Sequence, residues 1–255
     1  MFWISLAGKE FKIAVATIAW GSLKRVEEFI NIAEYVKGLD IQGLGIEYRM
    51  LPRELKERPE MLRKILDGLG LENAGSYSTI KNPPLEWIKR SGSKLLWIVN
   101  RERDCAKADE MLIEFARNIS REGVIPALHN HLRTCYEDLE DLSRVLAKSQ
   151  DLRICLDTAH ARAARLDIES LLRIYGDRVA MVHLKDLKAD MSKSKVRFKR
   201  DFVNIGEGII DFREVIKLLK SYRFSGYVVL EIEALRGERP ESAVAKGIER
   251  VKSIL

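Results

Sequence analysis

Six side chains that could bind a metal ion share one kind of position, the C-terminal end of a strand-like segment. They comprise all four histidines of the chain and two carboxylates, and they are His129, His131, His160, His183, Asp157 and Glu231. Imidazole nitrogen and carboxylate oxygen suit divalent ions such as zinc, manganese, cobalt or iron(II). Strands hold such ligands rigidly and leave a coordination position open to a substrate. We expect one divalent metal ion (Mn, Co, Zn or Mg) where these segment ends meet.

The stretch HNH places two of these histidines at the end of one segment. His129 and His131 are two residues apart, so their side chains leave a strand on the same face. A single histidine at a strand end is usually a hydrogen-bonded structural residue. The convergence of all four histidines on neighbouring strand ends favours a metal site instead.

Three further polar or aromatic residues follow strand-like segments, and the sequence leaves their roles open. Lys185 in VHLKD could act as a general acid, as a substrate clamp or as the ion-pair partner of Asp186. Glu47 could hydrogen-bond a substrate or form a structural ion pair. Trp20 in TIAWGS could form a pocket wall or pack in the core.

The segment YVVLEIE carries two glutamates, Glu231 and Glu233, which are two residues apart and therefore point to the same face of a strand. Alternation points Glu231 inward with the apolar face, where an unpaired carboxylate is costly. Glu233 has the same parity but lies further along, so we expect it to form a salt bridge at the rim.

The basic stretch KSKVRFKR lies in a long segment after the seventh strand-like run. It is either a solvated loop or a lid that carries a cation to an anionic group of the substrate. In the second case Arg197 is the residue that we expect to bind substrate.

Eight strand-like segments alternate with amphipathic segments along the whole chain. They are KIAVATI (12–18), LGIE (44–47), NAGSYS (73–78), KLLWIVN (94–100), VIPALHN (124–130), RICLDT (153–158), VAMVHLK (179–185) and YVVLEIE (227–233). Helical patterns between them include 22–38, 105–123 and 238–255, and Asp211 with Glu214 resembles a capping box. Near-continuous apolar strands, each followed by a helix, predict an α/β fold: a parallel eight-stranded (β/α)8 TIM barrel with outer helices.

The predicted barrel is a single domain over residues 1–255. A doubly wound open sheet is the alternative, but it needs a topological switch point that the chain does not offer. In a (β/α)8 barrel the C-terminal ends of the strands form the active-site rim. The six candidate ligands would therefore meet at this rim.

Length and composition fit a globular enzyme of 255 residues with a net charge of +6 and a pI near 9.1. This mild basicity is compatible with an anionic substrate. No apolar run reaches the length of a membrane span, and the start, MFWISLAGKEF, lacks the pattern of a signal peptide, so we expect an early strand or an ordered tail there. The chain has three cysteines, an odd number without close spacing: Cys105, Cys135 and Cys155. This predicts no disulfide framework and a cytoplasmic location.

Several motifs resemble the xylose isomerase-like superfamily of TIM barrels, which includes sugar epimerases, hydroxypyruvate isomerase, inosose dehydratase and endonuclease IV-type enzymes. The motifs are GIE (45–47), LDTAH (156–160), VHLKD (182–186), FVNIGEGIIDF (202–212) and GYVVLEIE (226–233). The resemblance implies one divalent metal ion held by Asp157, His183 and Glu231, with His160 close to the substrate.

The fifth strand departs from the usual pattern of this superfamily. His129 stands where a glutamate is expected, so one carboxylate of the pair that epimerases use for proton transfer is replaced. HNHLRT is instead similar to the H-x-H-x-x-T stretch of inosose dehydratases. The resemblance therefore implies that His129 binds the metal, while His131 supports it or contacts substrate.

These residues predict an enzyme that isomerises or epimerises a small sugar, polyol or keto acid through an enediolate, with the metal as Lewis acid. His160 or Glu231 would remove the proton and Lys185 would act as the acid. Loss of a β-hydroxyl instead of reprotonation would make the enzyme a dehydratase of the inosose dehydratase type. A DNA-repair endonuclease is a remote alternative, because strands 3 and 4 lack histidines for a trinuclear site. A barrel that only binds a ligand is a third reading, and the oligomeric state stays open.

Overall fold

A closed barrel of parallel strands forms the centre of the molecule, and a computed structural model describes residues 11–255 of it. The strands are β1 (Lys12–Ala16), β2 (Gly43–Ile46), β3 (Glu72–Ser78), β4 (Leu95–Ile98), β5 (Ile125–His129), β6 (Arg153–Asp157), β7 (Val179–Leu184), β8 (Asp186–Leu187), β9 (Phe202–Val203) and β10 (Tyr227–Leu230). The barrel order is β1-β10-β7-β6-β5-β4-β3-β2, and β8 pairs with β9 in a separate antiparallel ladder. The predicted (β/α)8 TIM barrel is confirmed.

Each predicted strand segment overlaps one barrel strand, and most predictions run one to three residues past its C-terminal end. RICLDT shows the reason: Asp157 ends β6 and caps the next helix, accepting a hydrogen bond from the His160 backbone N–H at 2.9 Å. At this strand end the polar side chain serves the start of the next helix and the regular strand stops. The prediction for MFWISLAGKEF lies outside the described residues, apart from Phe11.

Helices surround the barrel. They are α1 (Val26–Gly38), α2 (Arg53–Glu57), α3 (Pro59–Leu69), α4 (Leu85–Arg90), α5 (Cys105–Arg121), α6 (Leu139–Leu146), α7 (Thr158–Ala164), α8 (Ile168–Tyr175), α9 (Phe198–Asp201), α10 (Phe212–Ser221) and α11 (Pro240–Ser253). As predicted, Asp211 caps α10 by accepting from the backbone N–H groups of Arg213 and Glu214. Between residues 11 and 255, no helix has both the length and the apolar character that a bilayer crossing needs.

The core has two layers on either side of the strands. Between barrel and helices, α1 buries Phe29, Ile32, Ala33 and Val36, the spacing of one helix face. Inside the barrel the side chains are mostly small, such as alanines on β1, β3 and β5, with Met181 and Trp97 filling the remaining space. The base of the barrel is therefore packed, and only its C-terminal end is open to polar residues.

Asp186, on β8, anchors the long segment that follows β7. Its carboxylate accepts hydrogen bonds from the backbone N–H groups of Gly206, Gly208 and Ile210 at 2.9–3.1 Å. Asp186 is thus fully used by this loop, and the structure contradicts its pairing with Lys185. Arg197, expected as the cation of a lid, is exposed and does not line the cavity at the open end of the barrel, whereas the neighbouring Phe198 does.

A disulfide joins Cys105 at the start of α5 to Cys135 in the loop after β5. The prediction of a chain without disulfides is therefore wrong, and the cysteine count no longer supports a reducing compartment. The two residues are 30 apart in sequence, but the parallel neighbours β4 and β5 bring their following loops together. Cys155 is buried inside the barrel as a small apolar residue, as expected.

Candidate metal centre

Four side chains from four neighbouring strands meet at the open end of the barrel. His129, Asp157, His183 and Glu231 are all buried, and one ligand atom from each lies within 4.8 Å of all the others. Parity explains the convergence, because each lies two residues after an inward-facing residue of its strand: Ala127, Cys155, Met181 and Val229. This is the set in which the sequence analysis placed the metal.

The donor atoms of this cluster are close but unsatisfied. His129 Nε2 lies 3.4 Å from Asp157 Oδ2, and His183 Nδ1 lies 2.5 Å from Glu231 Oε2. Within the described chain, Asp157 Oδ2 and His183 Nδ1 have these ion-pair contacts, and Asp157 also has Lys185, but neither buried atom makes a well-oriented hydrogen bond. Buried polar atoms normally have partners. Two imidazoles and two carboxylates in this state fit a divalent cation, and the cluster could hold one.

Lys185 lies beside the cluster and is 1% exposed. Its ammonium is 2.8 Å from Glu231 Oε1, 2.5 Å from Glu233 Oε1 and 3.3 Å from Asp157 Oδ2. Of the roles left open for this lysine, pairing with Asp186 is excluded, whereas contact with the candidate ligands is established. The salt bridge expected of Glu233 is also present, with Lys185 as its partner.

The protonation states follow from burial and these charges. Burial alone would lower the pKa of Lys185, but Asp157, Glu231 and Glu233 outweigh it and hold the pKa well above its usual range. Burial alone would raise the pKa of Asp157 and Glu231, and Lys185 is the main charge that instead holds both well below their usual range. Burial lowers the pKa of His129, which therefore has the neutral imidazole that metals bind.

Asn130, between the two histidines of HNH, fixes the position of Asp157. Its Oδ1 accepts from the Asp157 backbone N–H at 2.7 Å, and its Nδ2 donates to the Asp157 carbonyl at 3.1 Å. The side chain thereby continues the β5–β6 ladder one step beyond its last backbone pair. Hydrogen bonds of this kind hold a ligand residue in the orientation that a metal site requires.

The remaining two histidines stack behind the cluster. The rings of His131 and His160 have centroids 4.3 Å apart, and His160 Nδ1 accepts from the Leu132 backbone N–H at 2.9 Å. Burial lowers the pKa of His131 to about 3, and the nearby His129 adds to this effect. His131 lines the cavity over the cluster, whereas His160 is fully buried among Phe198 and Phe202 and does not line it. The structure thus places His160 away from the surface that a substrate would reach.

A cavity of about 190 Å³ opens beside the cluster, and two of the four candidate ligands, His129 and Glu231, line it. Glu47 lines its wall, 5% exposed, with Arg49 Nη2 3.6 Å from its Oε2. Burial, with the charge of Glu231 as the second cause, raises the pKa of Glu47 to about 7. Trp20 does not line this cavity: its indole N–H donates to Glu241 at 2.9 Å and its ring packs against the core. Ile18 forms the wall there instead.

Other cavity residues were missed by the sequence analysis. Tyr77, Trp97, Arg49, Arg101 and Phe198 all line the space above the cluster. The first four lie in or just after β2, β3 and β4, so their position at strand ends was a usable signal. Phe198 was not predictable in this way, because its place depends on the fold of the long segment after β7.

Curated relatives match only part of this chain. The inosose dehydratase of Yersinia enterocolitica is 32% identical over 133 residues, which is 47% of this chain and 45% of that protein. The inosose dehydratase of Bacillus licheniformis is 31% identical over 124 residues, covering 44% and 41%. The chain therefore spans less than half the length of these relatives.

Solved structures match nearly the whole chain at low identity. The IOLI protein with a binding zinc atom has a TM-score of 0.79 at 17% identity, covering 96% of this chain and 98% of that one. The probable 3-DHS dehydratase AsbF from Bacillus anthracis has a TM-score of 0.79 at 12% identity, covering 95% and 99%. At these identities the likeness concerns the fold alone. The family described as Xylose isomerase-like TIM barrel matches residues 90–254, and the chain belongs to this family.

Proposed function

We propose that this protein is a metal-dependent dehydratase acting on a small polyhydroxylated carbonyl compound, of the inosose dehydratase type. The observation that carries the proposal is the convergence of His129, Asp157, His183 and Glu231 under a cavity of about 190 Å³. This volume lies below the usual range for drug-sized ligands and suits a small molecule. The names of the relatives that are 31–32% identical support the dehydratase outcome.

The four residues of the cluster would hold one divalent cation. When bound, such an ion acts as a Lewis acid that polarises a carbonyl group and makes the adjacent C–H bond more acidic. Two carboxylates and two imidazoles suit Mn, Co or Zn, and Mg is a weaker fit because it prefers oxygen ligands. Burial would lower the pKa of His183, but Cys155 and Glu231 hold it well above its usual range, so this imidazole would release a proton when it binds the ion.

The cavity residues supply the proton transfers of a dehydration. Glu231 is ionised and lines the cavity, so it can take the proton from the carbon next to the carbonyl. Lys185 keeps its proton and can donate a hydrogen bond to the carbonyl oxygen. The electron pair of the broken C–H bond forms a C=C bond as the β C–O bond breaks. Glu47, protonated below about pH 7, can give its proton to the departing hydroxyl, which leaves as water.

His160, which the sequence analysis offered as a base, is less suited to this role than Glu231. Its ring does not line the cavity, and its Nδ1 already accepts a hydrogen bond from Leu132. We assign it a positioning role, because its backbone N–H holds Asp157 Oδ1 and its ring supports His131.

Isomerisation or epimerisation is the second candidate activity. Glu47 and Glu231 both line the cavity, so a proton removed by one carboxylate could be returned by the other. Isomerisation keeps the mass of the substrate, whereas dehydration lowers it by one water, so mass spectrometry separates the two outcomes.

An endonuclease IV-type activity has little support. Such enzymes resemble this chain at LDTAH but need three zinc ions. The ends of β3 and β4 carry Ser76, Ser78 and Asn100 in place of histidines, and one metal-ligand cluster is found among residues 11–255.

Two experiments test the proposal. Elemental analysis of the purified protein should find about one divalent ion per chain; His183→Ala should release it, while Glu233→Gln, a carboxylate outside the cluster, should retain it. The metal-loaded protein, incubated in D2O with inososes, ketoses and their carboxylated and phosphorylated relatives, should release water from one of them, and Glu231→Gln should abolish the reaction. A wild-type protein that binds no ion, or that neither dehydrates nor exchanges deuterium across the panel, would refute the proposed function.

A further inference from the structure

Two arginines face the cavity on the side formed by β2, β3 and β4. Arg49 follows β2 in a short helical turn, and Arg101 lies three residues after β4. The Arg49 guanidinium lies 4.7 Å from the centre of the Tyr77 ring, and Tyr77 lines the cavity between the two strands' ends. Burial raises the pKa of the Tyr77 hydroxyl, and the charges of both arginines oppose that rise. Both arginines and Tyr77 line the same cavity.

The positive charge on this wall is poorly neutralised by the protein itself. Lys185, the third cation of the cavity, is surrounded by three carboxylates, whereas Arg49 has only Glu47 at 3.6 Å. No salt bridge joins Arg101 to a carboxylate in the part of the chain that the structure covers.

There is also space beside these arginines for a group larger than a hydroxyl. A groove of about 470 Å³ adjoins the cavity, and Val99 and Arg101 line both spaces. Lys81 and Arg103 add two further cations to the groove, and its one carboxylate, Glu102, pairs with Lys107 at 3.1 Å. A substrate whose reacting end lies over the cluster could therefore place its far end between positive side chains.

We propose that the substrate carries an anionic group, a carboxylate or a phosphate, which Arg49 and Arg101 bind opposite the metal cluster. The guanidinium fork pairs with the oxygens of either anion through two parallel hydrogen bonds. The inference rests on the proposed function, which assigns the carbonyl end of the substrate to the metal cluster. It narrows the substrate from a neutral inosose to an acidic or phosphorylated relative. Arg197 was expected to supply the cation that binds the substrate. The inference assigns this role instead to Arg49 and Arg101, on the opposite side of the barrel mouth.

Binding measurements on the metal-loaded full chain test this inference without requiring turnover. The probes are D-glucitol, D-gluconate and D-glucitol 1-phosphate, which share one carbon chain and differ only at C1. By calorimetry at pH 7, at least one of the two anions should bind about 10-fold or more tightly than glucitol. Arg101→Gln should remove this advantage. Arg53→Gln, which removes the same charge from the exposed face of α2 where it pairs with Glu57, should retain it.

The outcomes distinguish the sources of the anion. A gain for gluconate alone identifies a sugar acid, and a gain for the phosphate ester alone identifies a sugar phosphate; both support the inference. If neither anion binds more tightly than glucitol, or if Arg101→Gln weakens anion binding no more than Arg53→Gln does, the inference is overturned. Because the readout is an affinity difference, it stands apart from the metal and deuterium tests of the proposed function.

Discussion

Glu47 offers a sharp test of the electrostatics of the cavity. Its carboxyl is 5% exposed, and its Oε2 has no hydrogen-bond partner among the described residues. Burial first, and the charge of Glu231 second, raise its pKa to about 7 from the ordinary value of 4.5. Between the ordinary pKa of 4.5 and the folded-state pKa of about 7, Glu47 of the folded protein therefore keeps a proton that the unfolded chain has already released.

The sign and size of the effect on stability follow from linkage. Where the folded state binds more protons than the unfolded state, the free energy of unfolding falls as the pH rises. Between the unfolded-state and folded-state pKa values, each pH unit lowers the free energy of unfolding by about 1.4 kcal/mol. Between pH 5 and pH 8.5 the ionisation of Glu47 should thus destabilise the metal-free fold by about 2–3 kcal/mol.

The assay compares the wild type with Glu47→Gln, whose amide resembles the protonated acid but cannot ionise. Urea unfolding in the presence of a chelator gives the free energy of unfolding at pH 5 and at pH 8.5. We expect the stability of the glutamine variant relative to wild type to rise by about 2–3 kcal/mol between these pH values. Glu86→Gln, at a side chain 74% exposed on α4, is the control and should change stability by less than about 0.5 kcal/mol at either pH.

One result would refute the reasoning. If the stability difference between wild type and Glu47→Gln is the same at both pH values, the carboxyl does not gain a proton on folding. Glu47 would then be an ordinary ionised residue, and its use as a proton donor in the proposed dehydration would lose its basis.

Three further changes should have measurable effects on stability. Replacing Cys105 and Cys135 with serine should lower the free energy of unfolding by about 2–4 kcal/mol in urea titrations without reductant, and by little with it. Asn130→Ala should cost about 1–3 kcal/mol by the same method, because two buried hydrogen bonds to the chain at β6 are lost. Gly208→Ala should lower the melting temperature, because a Cβ there would collide with β8, whereas Gly38→Ala, which meets open space, should not.

Local patterning made the barrel predictable. Each strand is a short apolar run followed by an amphipathic helix, and such signals depend only on neighbouring residues. The ligand set was predictable for a related reason. A parallel barrel gathers the C-terminal ends of all its strands at one rim, so residues at those ends share a site once the fold class is known.

Contacts between residues that are far apart in the chain were not predictable from the sequence. Nothing near Lys185 in the chain shows that it contacts Glu231 and Glu233 rather than Asp186, which is its immediate neighbour. The disulfide between Cys105 and Cys135 depends on two loops lying side by side over neighbouring strands. The position of Arg197 outside the cavity depends on how the segment after β7 folds, which no periodic pattern specifies.

The amino-acid sequence by itself predicted the eight-stranded barrel and placed six candidate ligands at its rim, because strand periodicity indicates which side chains point inward and where each strand stops. The choice of His129, Asp157, His183 and Glu231 among the six came from the resemblance to a known family. Only the tertiary structure decided which charges neutralise one another and which remain free to meet a substrate. Ion pairs and burial depend on distances between residues tens to hundreds of positions apart, and those distances exist only after the barrel has closed.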